Sequence, residues 1–173
     1  MKRIIAALLI LAANLTEAVG TRAEVPEPKA PELEYCLRLN VQISESNYVG
    51  DNHKGKRNVI PIVGGTFEGK LPGHEIKGEV LPGGADYQMH YDGRSVLEAI
   101  YCLRTDDGIN ILVHNVGMII PDNPEGYYFH CAPKFEAPAD SRYDWLNNSL
   151  FLCRPDFTDA APGTIVLDVW RVR

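Results

Sequence analysis

The sequence lacks most of the patterns that usually announce a chemistry. No GxSxG, HExxH, phosphate-binding loop or post-strand GxGxxG occurs in the 173 residues, which removes serine-elbow hydrolases, zincins and the common nucleotide-binding folds. Cysteine is sparse: Cys36, Cys102, Cys131 and Cys153 are too widely spread to supply the CxxC pair of a structural zinc site. They allow two disulfides at most, in three alternative pairings. His90, His114 and His130 fall in three separate strand-like segments, without HxH or HxxxE spacing, so no metal is expected. With no cofactor motif either, any activity is expected to be cofactor-independent.

Positive charge and long hydrophobic runs are also in short supply. The formal net charge is −6, which argues against nucleic acid or an anionic membrane as partner. The uninterrupted apolar run Ile4–Ala13 covers ten residues, about half of the roughly 20 that a membrane span requires. Behind Met1-Lys2-Arg3 it reads as a signal peptide, with a small-x-small site at Thr21-Arg22-Ala23. That predicts a secreted or periplasmic protein without a stable membrane anchor. Cleavage after residue 23 removes a net +2 and leaves −8. Residues 24–32 carry Pro26, Pro28 and Pro31 among acids and read as an extended linker. The remaining 33–173 form one domain with a core of its own.

What is present is strand periodicity. Strands are predicted at 33–43, 60–68, 74–81, 86–91, 95–105, 109–117, 126–132, 148–154 and 164–172, with no amphipathic helix beyond a couple of turns. The fold class is therefore all-β, a closed or nearly closed antiparallel barrel of about eight to nine strands. Asp92-Gly93 and Asp107-Gly108 are hairpin dipeptides, since glycine accepts the positive φ that such turns demand. A two-residue turn at Asp107-Gly108 sets Tyr101 opposite His114 and Ile100 opposite Asn115, unless a bulge shifts the register by one. Within 95–105, Leu97, Ala99, Tyr101 and Leu103 share one face and Val96, Glu98, Ile100 and Cys102 the other. Apolar residues on both faces suit a barrel wall covered outside by loops or by a second copy in a homodimer.

Several residues are candidates for chemistry. Pro82-Gly83-Gly84-Ala85 separates two strands and is followed by Asp86. At a barrel mouth, partial desolvation makes that carboxylate an acid–base group, whereas at a plain turn it caps backbone amides. Tyr101 is a proton-donor candidate and Glu136 a second carboxylate before the Pro138 loop. Asn115 is suited to polarise a ligand carbonyl, and Tyr128 and His114 are further substrate contacts. Trp145 either plugs an end of the barrel or stacks on a flat ligand, and Glu68 stands beside Gly69 near a strand end. Asn147-Asn148-Ser149 is a glycosylation sequon, although a structural role for Asn147 is expected.

Five ordered segments carry a resemblance: Arg57–Gly69 (RNVIPIVGGTFEG), Gly78–Asp86 (GEVLPGGAD), Tyr101-x-Leu103-Arg104-Thr105-Asp106-Asp107-Gly108, Asn115-x-Gly117 and Trp145-Leu146-Asn147. Over about residues 57–172 the chain resembles the domain of unknown function 3237 family. The resemblance implies a compact, calycin-like barrel with an interior cavity and leaves the chemistry open. Tyr87 stands where such proteins often carry tryptophan, and Ile100 where they often carry arginine, which points to a ligand with less charge. Three functions follow: an enzyme rearranging or cyclising a small organic, aromatic or polyketide-like substrate by acid–base chemistry, a barrel that carries a small hydrophobic ligand unchanged, or a structural and interaction barrel.

Overall fold

The computed structural model describes residues 26–158 and 160–173, so the predicted signal peptide at 1–23 lies outside the described residues. Residues 26–32 have no regular secondary structure. Ten strands follow: β1 (Leu33–Ile43), β2 (Asn47–Asp51), β3 (Lys56–Gly69), β4 (Ile76–Val80), β5 (Gly84–Tyr91), β6 (Arg94–Thr105), β7 (Asn110–Ile120), β8 (Tyr128–Glu136), β9 (Phe151–Asp156) and β10 (Thr164–Val172). A 3-10 turn, Asp144–Leu146, interrupts the β8–β9 connection.

The sheet closes on itself because β1 pairs with β10 on one side and with β3 on the other. β4 and β5 share one lane between β3 and β6: Glu79 of β4 lies between Thr66 and Arg104, and Asp86 of β5 between Ile60 and Ala99. The circuit β1-β10-β9-β8-β7-β6-β4/β5-β3 makes the barrel that the strand periodicity predicts. β2 continues the β1 lane past the rim and pairs with β3 alone among the described strands. No strand was expected there, because Ser44-Glu45-Ser46 reads as a break and Asn47–Asp51 is short and polar at both ends; the hairpin with β3 supplies what local propensity does not.

Period two sorts the side chains. Leu97, Tyr101 and Leu103 of β6 point inward and are buried, as are Leu39 of β1, Ile111 and Val113 of β7, and Val169 of β10. Each such side chain contributes about 1.5–3 kcal/mol by leaving water. The register at the β6–β7 hairpin is shifted by one from the two-residue expectation: Tyr101 pairs with Val113, Ile100 with His114 and Ala99 with Asn115. The physical reason is a three-residue loop. Gly108 N–H donates to Thr105 O at 2.8 Å, Thr105 N–H donates to Ile109 O at 2.9 Å, and Gly108 takes φ +86°, a turn closed by a left-handed glycine bulge. The Asp92-Gly93 turn keeps the expected two residues, with Tyr91 opposite Arg94.

Ile100 and Tyr87 lie on the outer wall, 38% and 42% exposed. Neither faces the interior, so these two departures from the family pattern do not set the charge of the lumen.

Candidate functional site

One half of the lumen is filled and the other is not. At the filled end, Trp145 packs edge-on to Phe151 at 5.9 Å and Phe135 packs on Phe151 at 5.0 Å. Asn147 holds the 3-10 turn in place: its Oδ1 accepts from Ala137 N–H at 2.8 Å and its Nδ2 donates to Ala137 O at 2.9 Å. At the other end lies a mainly apolar cavity of about 190 Å³, walled by Ile60, Ile62, Leu97, Ile119, Phe129 and neighbouring side chains. Its polar lining residues are Asp86, Gln88, Tyr101 and Asn115, with the Cys131 thiol beside them.

Local sequence explains how these groups meet. Gly83 takes φ +110° in the kink between β4 and β5, and a Cβ on Gly84 would collide with Tyr101. The Pro82-Gly83-Gly84 segment thus lets the Tyr101 side chain pass beneath the backbone of β5 and turns Asp86 inward. Asp86 pairs with Ala99, and Ala99 pairs with Asn115. Tyr101 stands two residues along β6 on the same face. The carboxyl and the amide therefore flank the small Ala99 methyl, with the phenol one step deeper.

The electrostatics of the group are those of a buried site. Burial raises the Asp86 carboxyl above the ordinary carboxylate range, partly offset by donation from Gln88 Nε2 at 2.7 Å and Glu98 N–H at 3.1 Å and by the nearby His90. Burial likewise pushes the Tyr101 phenol well above its usual value, with Cys153, Cys131 and Asp86 adding to the effect. The Tyr101 hydroxyl is buried and has no hydrogen-bond partner among the described residues, a state that costs about 1–3 kcal/mol. Asn115 is 5% exposed and bonds to the Cys153 thiol, at 3.6 Å through Nδ2 and 3.8 Å through Oδ1. Sulfur is a weak partner, so the amide remains available to a stronger one.

The other sequence candidates lie elsewhere. Glu136 is exposed at the far end of β8, opposite Leu112. Tyr128 is 38% exposed and packs on the His130 ring at 4.6 Å. Glu68 pairs with Lys70 at 3.4 Å beside a separate surface cleft. His114 pairs with Glu98 at 3.0 Å on the outer wall. Trp145 contacts His74 at 4.8 Å in the plug. Among the described residues no group of three His, Cys, Asp or Glu side chains is placed to hold a metal ion; His90 bonds to Ser95 at 2.7 Å. Gln88 and Cys131 were not singled out from sequence. Gln88 carried a usable signal, being two residues from Asp86 on the same strand face, whereas Cys131 joins only through pairing.

Comparison with known proteins places this geometry in a lineage. The family model described as Protein of unknown function (DUF3237) matches residues 31–172. A UPF0311 protein of Clostridium acetobutylicum is 32% identical over 164 residues, spanning 86% of this chain and 99% of the relative. The hydroalkoxylation enzyme phnH of Penicillium herquei is 29% identical over 141 residues, 82% of each. A crystal structure of a β-barrel-like protein from Acinetobacter baumannii superposes with a TM-score of 0.73 at 27% identity, covering 85% of this chain and 99% of that one. Since the family model spans the entire barrel, the chain belongs to the family described as Protein of unknown function (DUF3237).

Proposed function

We propose that this barrel is a cofactor-independent acid–base enzyme that closes a ring in a small organic substrate by adding a hydroxyl across a carbon–carbon double bond conjugated to a carbonyl. The observation that carries this reading is the convergence of Asp86, Tyr101 and Asn115 on one mainly apolar cavity. The relative named a hydroalkoxylation enzyme supports the reaction class.

Asp86 is the base. Its raised affinity for a proton brings it closer to the working pH than an exposed aspartate, which favours proton transfer. As it takes the substrate hydroxyl proton, the oxygen bonds to the β-carbon and the π electrons move onto the carbonyl oxygen as an enolate. Asn115 Nδ2 stabilises that oxygen, a donor aimed where charge develops in a dry site. Tyr101 stays a neutral donor because burial opposes its phenolate. It delivers its proton to the α-carbon as it regains the one held by Asp86, which closes the cycle without a lasting phenolate. The sum is an isomerisation: one C–O bond and one C–H bond form, one O–H bond and one π bond are lost, and nothing is oxidised.

The test is conversion of ortho-hydroxyphenyl vinyl ketone to chromanone, followed by loss of enone absorbance. Wild type should convert it well above the buffer rate and Asp86→Asn should not. Equal rates for the two proteins would refute the assignment of Asp86. The mainly apolar wall also supports a carrier that holds such a ligand unchanged, and saturable binding without conversion by wild type would select that reading.

A further inference from the structure

We infer that the ligand is a neutral hydroxy-carbonyl compound of single-ring size, with its hydroxyl toward Asp86 and its carbonyl toward Asn115 and Tyr101. The inference rests on the acid–base reading of this cavity and narrows it by volume, charge and hydrogen-bond complement.

Volume sets the size. A cavity of about 150 Å³ accepts benzene, whereas sites for drug-sized ligands run from about 300 Å³ upward. At about 190 Å³ this lumen takes one aromatic ring with one or two short substituents, or the isomer in which those substituents have closed on each other, and an additional aromatic ring would be left at the mouth.

Charge comes next. No arginine, lysine or histidine is among the lining residues. An anionic ligand would meet the Asp86 carboxylate with no countercharge, in a medium where desolvation alone is costly.

The hydrogen-bonding groups decide the rest. Asp86 already accepts from Gln88 and from the Glu98 amide, yet a carboxylate has about four lone-pair sites and can accept from a ligand hydroxyl as well. Among the described residues the Tyr101 hydroxyl has no acceptor, and the Asn115 amide is bonded only to sulfur. One ligand donor on the β5 side and one ligand acceptor on the β7 side satisfy all three. Ring closure requires the hydroxyl and the carbonyl arm on neighbouring ring carbons, and Asp86 and Asn115, which flank Ala99 in the register, face that edge of the ligand together.

The experiment is calorimetric titration of the full chain with four probes. Ortho-hydroxyacetophenone has the inferred complement, ortho-methoxyacetophenone lacks the donor, ortho-hydroxybenzoate is anionic, and an ortho-hydroxyacetonaphthone adds a further aromatic ring. We expect the first to bind at least tenfold more tightly than each of the others. Comparable affinity for any of the three, or no binding by the first, overturns the inference. Ala99→Leu and, as a second variant, Ile119→Phe fill the cavity and should abolish binding with an unchanged far-UV spectrum. Unaltered binding in a folded variant also overturns it. Because the readout is binding by wild type, it separates from the enzyme proposal: selective binding with no Asp86-dependent conversion sinks the catalysis and leaves the ligand class standing.

Discussion

Two carboxylate–tyrosine pairs sit at opposite ends of this barrel, and they are built in opposite ways. At the plugged end, Asp107 Oδ1 accepts from the Tyr143 hydroxyl at 2.8 Å and from the Thr105 hydroxyl. Those donors hold the Asp107 carboxyl below its usual range. At the open end, Asp86 is pushed up by burial and the Tyr101 hydroxyl has no partner among the described residues. Residue types are the same in both places; what differs is the burial of the carboxyl and the bonding of the phenol. A satisfied pair spends its bonding capacity on the fold, whereas an unsatisfied one retains it for a ligand.

Asparagine at each carboxylate gives the largest expected contrast. Asp86→Asn should lower turnover of the vinyl ketone by about 10²–10⁴-fold while unfolding free energy stays within about 1 kcal/mol of wild type. Asp107→Asn should leave turnover intact and lower the urea midpoint. If Asp86→Asn instead proves strongly destabilising with turnover preserved, the open-end carboxylate is a turn cap and the contrast dissolves.

Packing supplies the next test. Leu103→Ala, in the filled half where Leu103 is fully buried, should cost about 2–5 kcal/mol. Ala99→Leu, in the empty half, should change stability by about 1 kcal/mol or less, because it fills space instead of creating it. Similar losses for both would mean that the cavity is not room the fold leaves open.

Removing the hydroxyls should move stability in opposite directions. Tyr143→Phe loses a hydrogen bond to a carboxylate and should destabilise by about 1–2 kcal/mol. Tyr101→Phe removes a buried group that has no partner, and should be neutral or stabilising by about 1 kcal/mol while impairing turnover. A destabilised Tyr101→Phe would show that the phenol is bonded in the free protein.

The smallest expected effect is on the pH dependence of stability. Asp86 binds its proton more tightly folded than unfolded, so its contribution is present at low pH and is lost as pH rises from about 4 through the raised folded value. Asp107 is the reverse: its contribution is present above the unfolded value and is lost as pH falls through the lowered folded one. Urea titrations across this range should show wild type losing stability relative to Asp86→Asn as pH rises. A flat difference would remove the desolvation argument for Asp86.

Much of this was legible in the chain itself. Alternation in 95–105 put Leu97, Ala99, Tyr101 and Leu103 on one face, and the structure keeps them there, because a strand's period of two leaves side chains no other option. Asp92-Gly93 defined its hairpin for an equally local reason. Asp107-Gly108 did not: Thr105 Oγ1 accepts from Ile109 N–H at 2.9 Å, and the added bulge residue shifts the register of β6 against β7. The sequence also offered Glu136, Tyr128, Glu68 and His114 beside Asp86, Tyr101 and Asn115, with nothing to separate the two groups.

Separation came from closure of the sheet. Local alternation and glycine placement determined an all-β chain with inward-facing Tyr101, since both depend on backbone geometry over a few residues. Which polar atoms go unpaired depends on what lies across the lumen, on strands distant in sequence, and so only the closed barrel decided that Asp86, Tyr101 and Asn115 share a mainly apolar cavity while Asp107 and Tyr143 bond to each other.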